Sequence, residues 1–169
     1  MTAAPAAFLD RDGVLIEDCG YPHRPEDLKL TPGAAAAVRR MNQGGYRTII
    51  VTNQSGVARG LFTEDRMHAF NALLIEALAE QGAVIDAVYA CPFHAEAVEA
   101  RYRHPDHPDR KPNPGMLLRA IAEHDLDPGR SFIIGDQQTD LEAGRRAGVK
   151  GFLFEGGDLD AFVREKTGL

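Results

Sequence analysis

The chain has 169 residues, 44 % hydrophobic and 26 % charged, with a net charge of -6. One compact unit spanning 1–169 is expected, able to bury enough surface to fold without a metal or disulfide. The acidic balance argues against nucleic acid, which calls for a basic face, and no run approaches the roughly 20 apolar residues that cross a bilayer. Two cysteines far apart, Cys19 and Cys91, suit a reducing cytoplasm better than a disulfide framework. The N-terminus shows no basic stretch followed by an apolar one, so no targeting signal is expected. A cytoplasmic monomer working on a small molecule, with neither nucleic acid nor membrane as partner, is the expectation.

The apolar run 6–9 stops at charged residues and predicts a buried strand. Pro32-Gly33 opens an Ala-rich helix with Val38 and Met41 on one face, closed by Gly44-Gly45. A β-branched strand follows over 46–51 and ends in a polar loop, Thr52 to Gly56. Thr63 suits the N-cap of a helix presenting Met67, Phe70, Leu74, Ala77 and Leu78, and 84–90 reads as a third strand. From Cys91 to Pro114, five prolines and three histidines break any period, predicting a long irregular loop. Helix 116–124, strand 131–134, a helix around 141–147, strand 151–154 and a helix around 159–166 complete the chain. Strands alternating with helices imply right-handed crossovers and an α/β fold: one Rossmann-like, doubly wound parallel sheet with helices on both faces.

Ligands of such sheets bind beyond the carboxyl ends of the strands. Three predicted strands end there in Asp10-Arg11-Asp12-Gly13, Thr52-Asn53 and Gly135-Asp136. Asp10 and Asp12, brought together by the turn at Gly13, would repel unless a proton or cation sits between them. Magnesium, a hard ion satisfied by carboxylates, water and phosphate oxygens, is the natural resident, with Asp136 as a third carboxylate and Asp140 next to it. A carboxylate there can attack phosphorus while a second protonates the leaving alkoxide and then deprotonates water. Thr52, Lys111 and N–H groups near Asn53 are the donors expected to stabilise the transferred phosphoryl group.

These residues resemble the motifs of the haloacid dehalogenase superfamily of aspartate-nucleophile phosphatases: Asp10-Arg11-Asp12-Gly13-Val14, Thr52-Asn53, Lys111 and Gly135-Asp136-x-x-x-Asp140. Gly20-Tyr21, Val51 to Gly60, Cys91-Pro92 and Arg110 to Met116 are similar to one subgroup, the D-glycero-D-manno-heptose 1,7-bisphosphate and histidinol-phosphate phosphatases. The resemblance implies no large cap domain, Asp10 as nucleophile and Asp12 as general acid and base. It also implies magnesium on Asp10, Asp12 and Asp136, and substrate contacts from Gly20, Tyr21, Thr52, Asn53, Gln54, Ser55, Arg110 and Lys111.

Two positions depart from the pattern. Many members of the subgroup hold a structural zinc through Cys-x-His and a later Cys-x-Cys; here Cys91 is retained, but Phe93, His107 and Asp109 occupy the other ligand positions. Cys91, His94, His104 and His107 form a shifted alternative set, beside the reading of a metal-free loop held by prolines. Gln137 stands where a basic residue usually follows Gly-Asp, leaving a neutral donor in place of a point charge, while Arg110 can still fork a second phosphate. The expected substrate is heptose 1,7-bisphosphate, with histidinol phosphate or another small phosphorylated metabolite as the alternative. A phosphoryl-transferring mutase and a non-catalytic phosphosugar-binding module are the rivals from other classes; the completeness of the acidic and basic set speaks against the binding module. Cys19 reads as a packing residue, and His23 and Arg24 as ordinary loop polarity.

Overall fold

A computed structural model describes residues 2–169. Five parallel strands form one sheet in the order β3-β2-β1-β4-β5: β1 (Ala6–Leu9), β2 (Arg47–Asn53), β3 (Ala87–Cys91), β4 (Phe132–Gly135) and β5 (Lys150–Leu153). The period-two alternation of β1 explains why both faces are covered. Ala7 and Leu9 pack with α1 (Ala34–Gln43), α3 (Glu64–Ala79) and α6 (Leu159–Thr167), whereas Ala6 and Phe8 pack with α4 (Gly115–Glu123) and α5 (Gln138–Arg146). Among the described residues no large cap interrupts this doubly wound sheet, and no helix is long and apolar enough to cross a membrane.

The strand order reverses between β1 and β4, and a sheet of this topology opens a crevice at that switch point. Leu9 is in register with Ile134, and the Asp10 N–H donates to Ile134 O at 3.0 Å. Pairing therefore delivers Asp10 and Asp136 side by side, just past the ends of two central strands.

Several boundaries differ from the pattern-based expectation. Thr52 and Asn53 lie inside β2, paired with Ala90 and Cys91 of β3, and the predicted loop after them holds a one-turn helix, α2 (Ser55–Ala58). The third strand starts at Ala87, not at residue 84, because Asn42 donates to Val84 O and Asp86 N donates to Thr48 O, holding the approach outside the ladder. Helix α5 begins at Gln138, ahead of residue 141, since the Asp140 side chain folds back on the Gln137 N–H as a capping box. The last strand begins at Lys150 and ends at Leu153, one residue earlier at each end than expected. The segment between β3 and α4 is irregular as expected, apart from one short turn of 3-10 helix, Ala100–Tyr102.

Candidate active site

A hollow of about 300 Å³ opens over the carboxyl edge of the sheet. Asp10, Asp12, Asn53, Lys111 and Asp136 line it, and so do Gly20, Tyr21, Gln54, Ser55 and Arg110. Of the expected site residues outside the zinc set, Thr52 alone is not in its wall. Its side chain is buried, and its hydroxyl accepts a hydrogen bond from Gln54 Nε2 at 2.9 Å, which orients that amide.

Asp10 is only 9 % exposed and Lys111 only 4 %. The Lys111 ammonium uses all three donors: Asp10 Oδ1 at 3.1 Å, Val51 O at 2.8 Å and Asp140 Oδ1 at 2.5 Å. Asn53 fixes where that lysine starts, because its amide donates to Lys111 O and accepts from Lys111 N, at 3.1 and 3.0 Å. Lys111-Pro112 is a cis peptide.

Asp10, Asp136 and Asp140 offer carboxylate oxygens that all lie within 4.8 Å of one another. One ammonium faces three carboxylates, so negative charge is in excess. Burial pushes the Asp10 carboxyl well above the usual range; Lys111 pulls it down, but Asp140, Asp12 and Asp136 add to the rise. Burial likewise raises Asp136. For Lys111, burial acts to lower the pKa, yet Asp10 and Asp140 outweigh it and hold the ammonium above its ordinary value.

Two glycines make room for this packing. Gly13 has φ +83°, and a Cβ there would overlap the Asp136 carboxylate; a Cβ on Gly135 would overlap Asp140.

The second aspartate is held differently. Asp12 lies outside the group of three and is gripped by its neighbour Arg11, whose Nε donates to Oδ1 at 2.7 Å and Nη2 to Oδ2 at 3.3 Å. Arg110 reaches the same hollow with a buried Nη1 that has no hydrogen-bond partner. A buried guanidinium nitrogen in that state costs free energy. Gln137 lines the wall next to Thr139 and Asp140, and Asp18 closes the side nearest Gly20.

The four alternative zinc ligands are not drawn together. Among the described residues only the aspartate trio brings three or more potential ligand atoms within 4.8 Å of one another. His107 stacks face to face on Phe93, with centroids 4.0 Å apart, and His94 Nε2 lies 3.4 Å from Arg59 Nη2. Asp109, at the last ligand position of the zinc pattern, pairs with Arg119 at 2.9 Å. Burial pushes the Cys91 thiol up to about 11. Zinc therefore does not fit this loop, whose inner side is made of aromatic contacts.

Cys19 is exposed, contrary to its expected packing role. The turn that carries it, with Gly20 at φ +79° and Tyr21 at φ 57°, faces solvent beside the hollow. Neither His23, stacked on Phe62, nor Arg24, paired with Asp27, lines the site.

A family model described as HAD-hydrolase-like matches residues 109–166. The chain is 48 % identical over 162 residues to the D-glycero-beta-D-manno-heptose-1,7-bisphosphate 7-phosphatase of Rhodopseudomonas palustris, covering 95 % of this chain and 89 % of that one. It belongs to the heptose-bisphosphate phosphatase family of the haloacid dehalogenase superfamily. A second relative of this phosphatase, the D-glycero-D-manno-heptose-1,7-bisphosphate 7-phosphatase of Thermosynechococcus vestitus, is 48 % identical over 157 residues, with 90 % and 80 % covered. The crystal structure of D,D-heptose 1,7-bisphosphate phosphatase from B. bronchiseptica, complexed with magnesium and phosphate, is similar with a TM-score of 0.78 and 31 % identity, covering 96 % of this chain and 87 % of that one.

Sequence reasoning passed over two residues of this phosphatase's site. Arg11 stands in the first motif without a role of its own, and nothing local foretells its burial. Asp140 closes the fourth motif in sequence but was given no role of its own, although Gln137-x-x-Asp140 has the spacing of a capping box.

Proposed function

We propose that this phosphatase hydrolyses the 7-phosphate of D-glycero-D-manno-heptose 1,7-bisphosphate through a phosphorylated Asp10. The observation that carries the reading is the buried Asp10–Lys111–Asp140 contact, with a second, more accessible carboxylate, Asp12, on the wall of the same hollow.

In the first step an Asp10 carboxylate oxygen attacks phosphorus, the bond to the sugar oxygen breaks, and Asp12 gives its proton to the departing alkoxide. In the second, Asp12 takes a proton from water, the water oxygen attacks phosphorus, and inorganic phosphate leaves with Asp10 restored. Lys111 supplies positive charge beside Asp10 throughout, and Asn53 keeps the lysine's main chain in place. All three Lys111 donors are engaged, so contact with phosphate requires the lysine to exchange a present partner.

The donor set fits magnesium: hard carboxylate oxygens and more negative charge than the one ammonium balances. Asp10 and Asp136 would hold the ion, while the Asp12 carboxylate is occupied by Arg11. When bound, the cation supplies charge neutralisation of the phosphoryl oxygens.

Arg110 favours a bisphosphate, because a guanidinium on the wall of the same hollow can fork a second phosphate. Phosphate release with magnesium tests the reading. The expected kcat/KM on heptose 1,7-bisphosphate exceeds that on histidinol phosphate by at least about tenfold, the scale of one charge-assisted contact. A reversed preference would overturn the substrate assignment. Binding without any hydrolysis would favour a phosphosugar-binding module.

A further inference from the structure

We infer that Arg11 is a positioning residue that locks the Asp12 carboxylate for proton transfer; the inference rests on the proposed role of Asp12 as general acid. Arg11 is 0 % exposed although it sits between two site aspartates. A buried cation is stable only when its charge and donors are satisfied, and here every nitrogen is engaged. Beside its fork on Asp12, Nη1 donates to Asn71 Oδ1 at 2.9 Å, and Nη2 to Pro22 O and Gln54 Oε1, both at 3.0 Å. The guanidinium lies over the Phe70 ring, 4.7 Å from its centroid. Its main-chain N–H donates to Asp10 Oδ1 at 2.9 Å.

One residue thus ties both aspartates to the turn that carries Gly20-Tyr21, to Gln54 after β2 and to helix α3. The two parallel N–H bonds fix the torsion of Asp12, while its side chain remains 22 % exposed toward the hollow. Negative charge formed on Asp12 as its proton leaves would arise beside a guanidinium already in place. Lysine has charge but no fork, so it cannot hold that torsion.

The test compares two esters with the full-length magnesium-loaded enzyme. Heptose 1,7-bisphosphate expels an alkoxide that needs a proton, whereas p-nitrophenyl phosphate expels a stable phenolate that does not. Since kcat/KM reports the first transfer, Arg11→Gln should lower it about 100-fold on the sugar and less than about threefold on the aryl ester, with Arg11→Lys regaining only part of the loss. Asn71→Leu removes an anchor of Arg11 while leaving Arg11 itself present. It should show the same selective loss, about three- to tenfold, and serves where Arg11 variants fail to fold. Equal losses on both esters in the Arg11 or Asn71 variants, or no loss on the sugar, would overturn the inference. Asp12→Asn separates the two levels: an equal loss on both esters there would remove the general-acid reading itself.

Discussion

The two ends of the 91–114 segment are built on different physics. At Lys111 the chain is pinned by buried charge, with an ammonium between Asp10 and Asp140 and an asparagine amide spanning its peptide. Around Phe93 and His107 it is pinned by ring contacts, with Tyr102 edge-on to Phe93 and flanking ion pairs at the surface. Buried charge is unforgiving of deletion because the partner left behind stays charged in a poor solvent. Ring stacking loses only what the ring contributed. The chemistry sits at the unforgiving end, and the loop can vary its means of support without disturbing Asp10.

This contrast can be broken most severely at Lys111. Lys111→Met should destabilise the fold by about 3–5 kcal/mol, measured by urea unfolding, and abolish detectable turnover, because two buried carboxylates lose their cation. Phe93→Ala should cost about 1–3 kcal/mol by the same measurement, while kcat stays within about threefold of the parent and the zinc content of the protein is unchanged. A Phe93 variant that lost activity as completely as Lys111→Met would erase the distinction between the two ends.

Asp10→Asn reverses the usual sign. Burial raises the folded-state pKa of Asp10, so the stability it contributes is fully present below its unfolded pKa and is lost as pH rises through the folded value. At neutral pH the metal-free Asp10→Asn protein should therefore be more stable by about 1 kcal/mol, or some 2–4 °C in Tm, although inactive. The same raised carboxyls, Asp10 and Asp136, take up protons more readily than free carboxyls, in competition with a cation. The magnesium concentration giving half-maximal activity should therefore rise as pH falls below neutral, in a titration at several pH values. Smallest of all, a thiol reagent should modify exposed Cys19 and spare Cys91, whose thiol burial raises to about 11.

Much of the fold was legible because its signals are local. Apolar runs ending in acids mark strands whose carboxyl ends share one edge, and the positions of Asp10 and Asp136 follow from that pattern, whereas Lys111 stands in the irregular segment and was placed by its motif. Arg11 was illegible for the opposite reason: its burial depends on Phe70 and Asn71 on α3, about sixty residues away. The start of β3 was misjudged because 84–86 has strand-like residues, yet Asn42 and Thr48 take its polar groups. Thr52 has the right residue type at the right strand end, but its hydroxyl serves Gln54. Side-chain partners decide such cases, and composition carries no trace of them.

The central claim is that phosphorus is transferred to Asp10 before it reaches water. Enzyme quenched with borohydride during turnover of heptose 1,7-bisphosphate, then digested and sequenced by mass spectrometry, reads this directly, since an aspartyl-phosphate is reduced to homoserine. Homoserine at position 10, absent without substrate, is the predicted result. An unmodified Asp10 during active turnover, or homoserine at Asp12, Asp136 or Asp140 instead, would contradict the account.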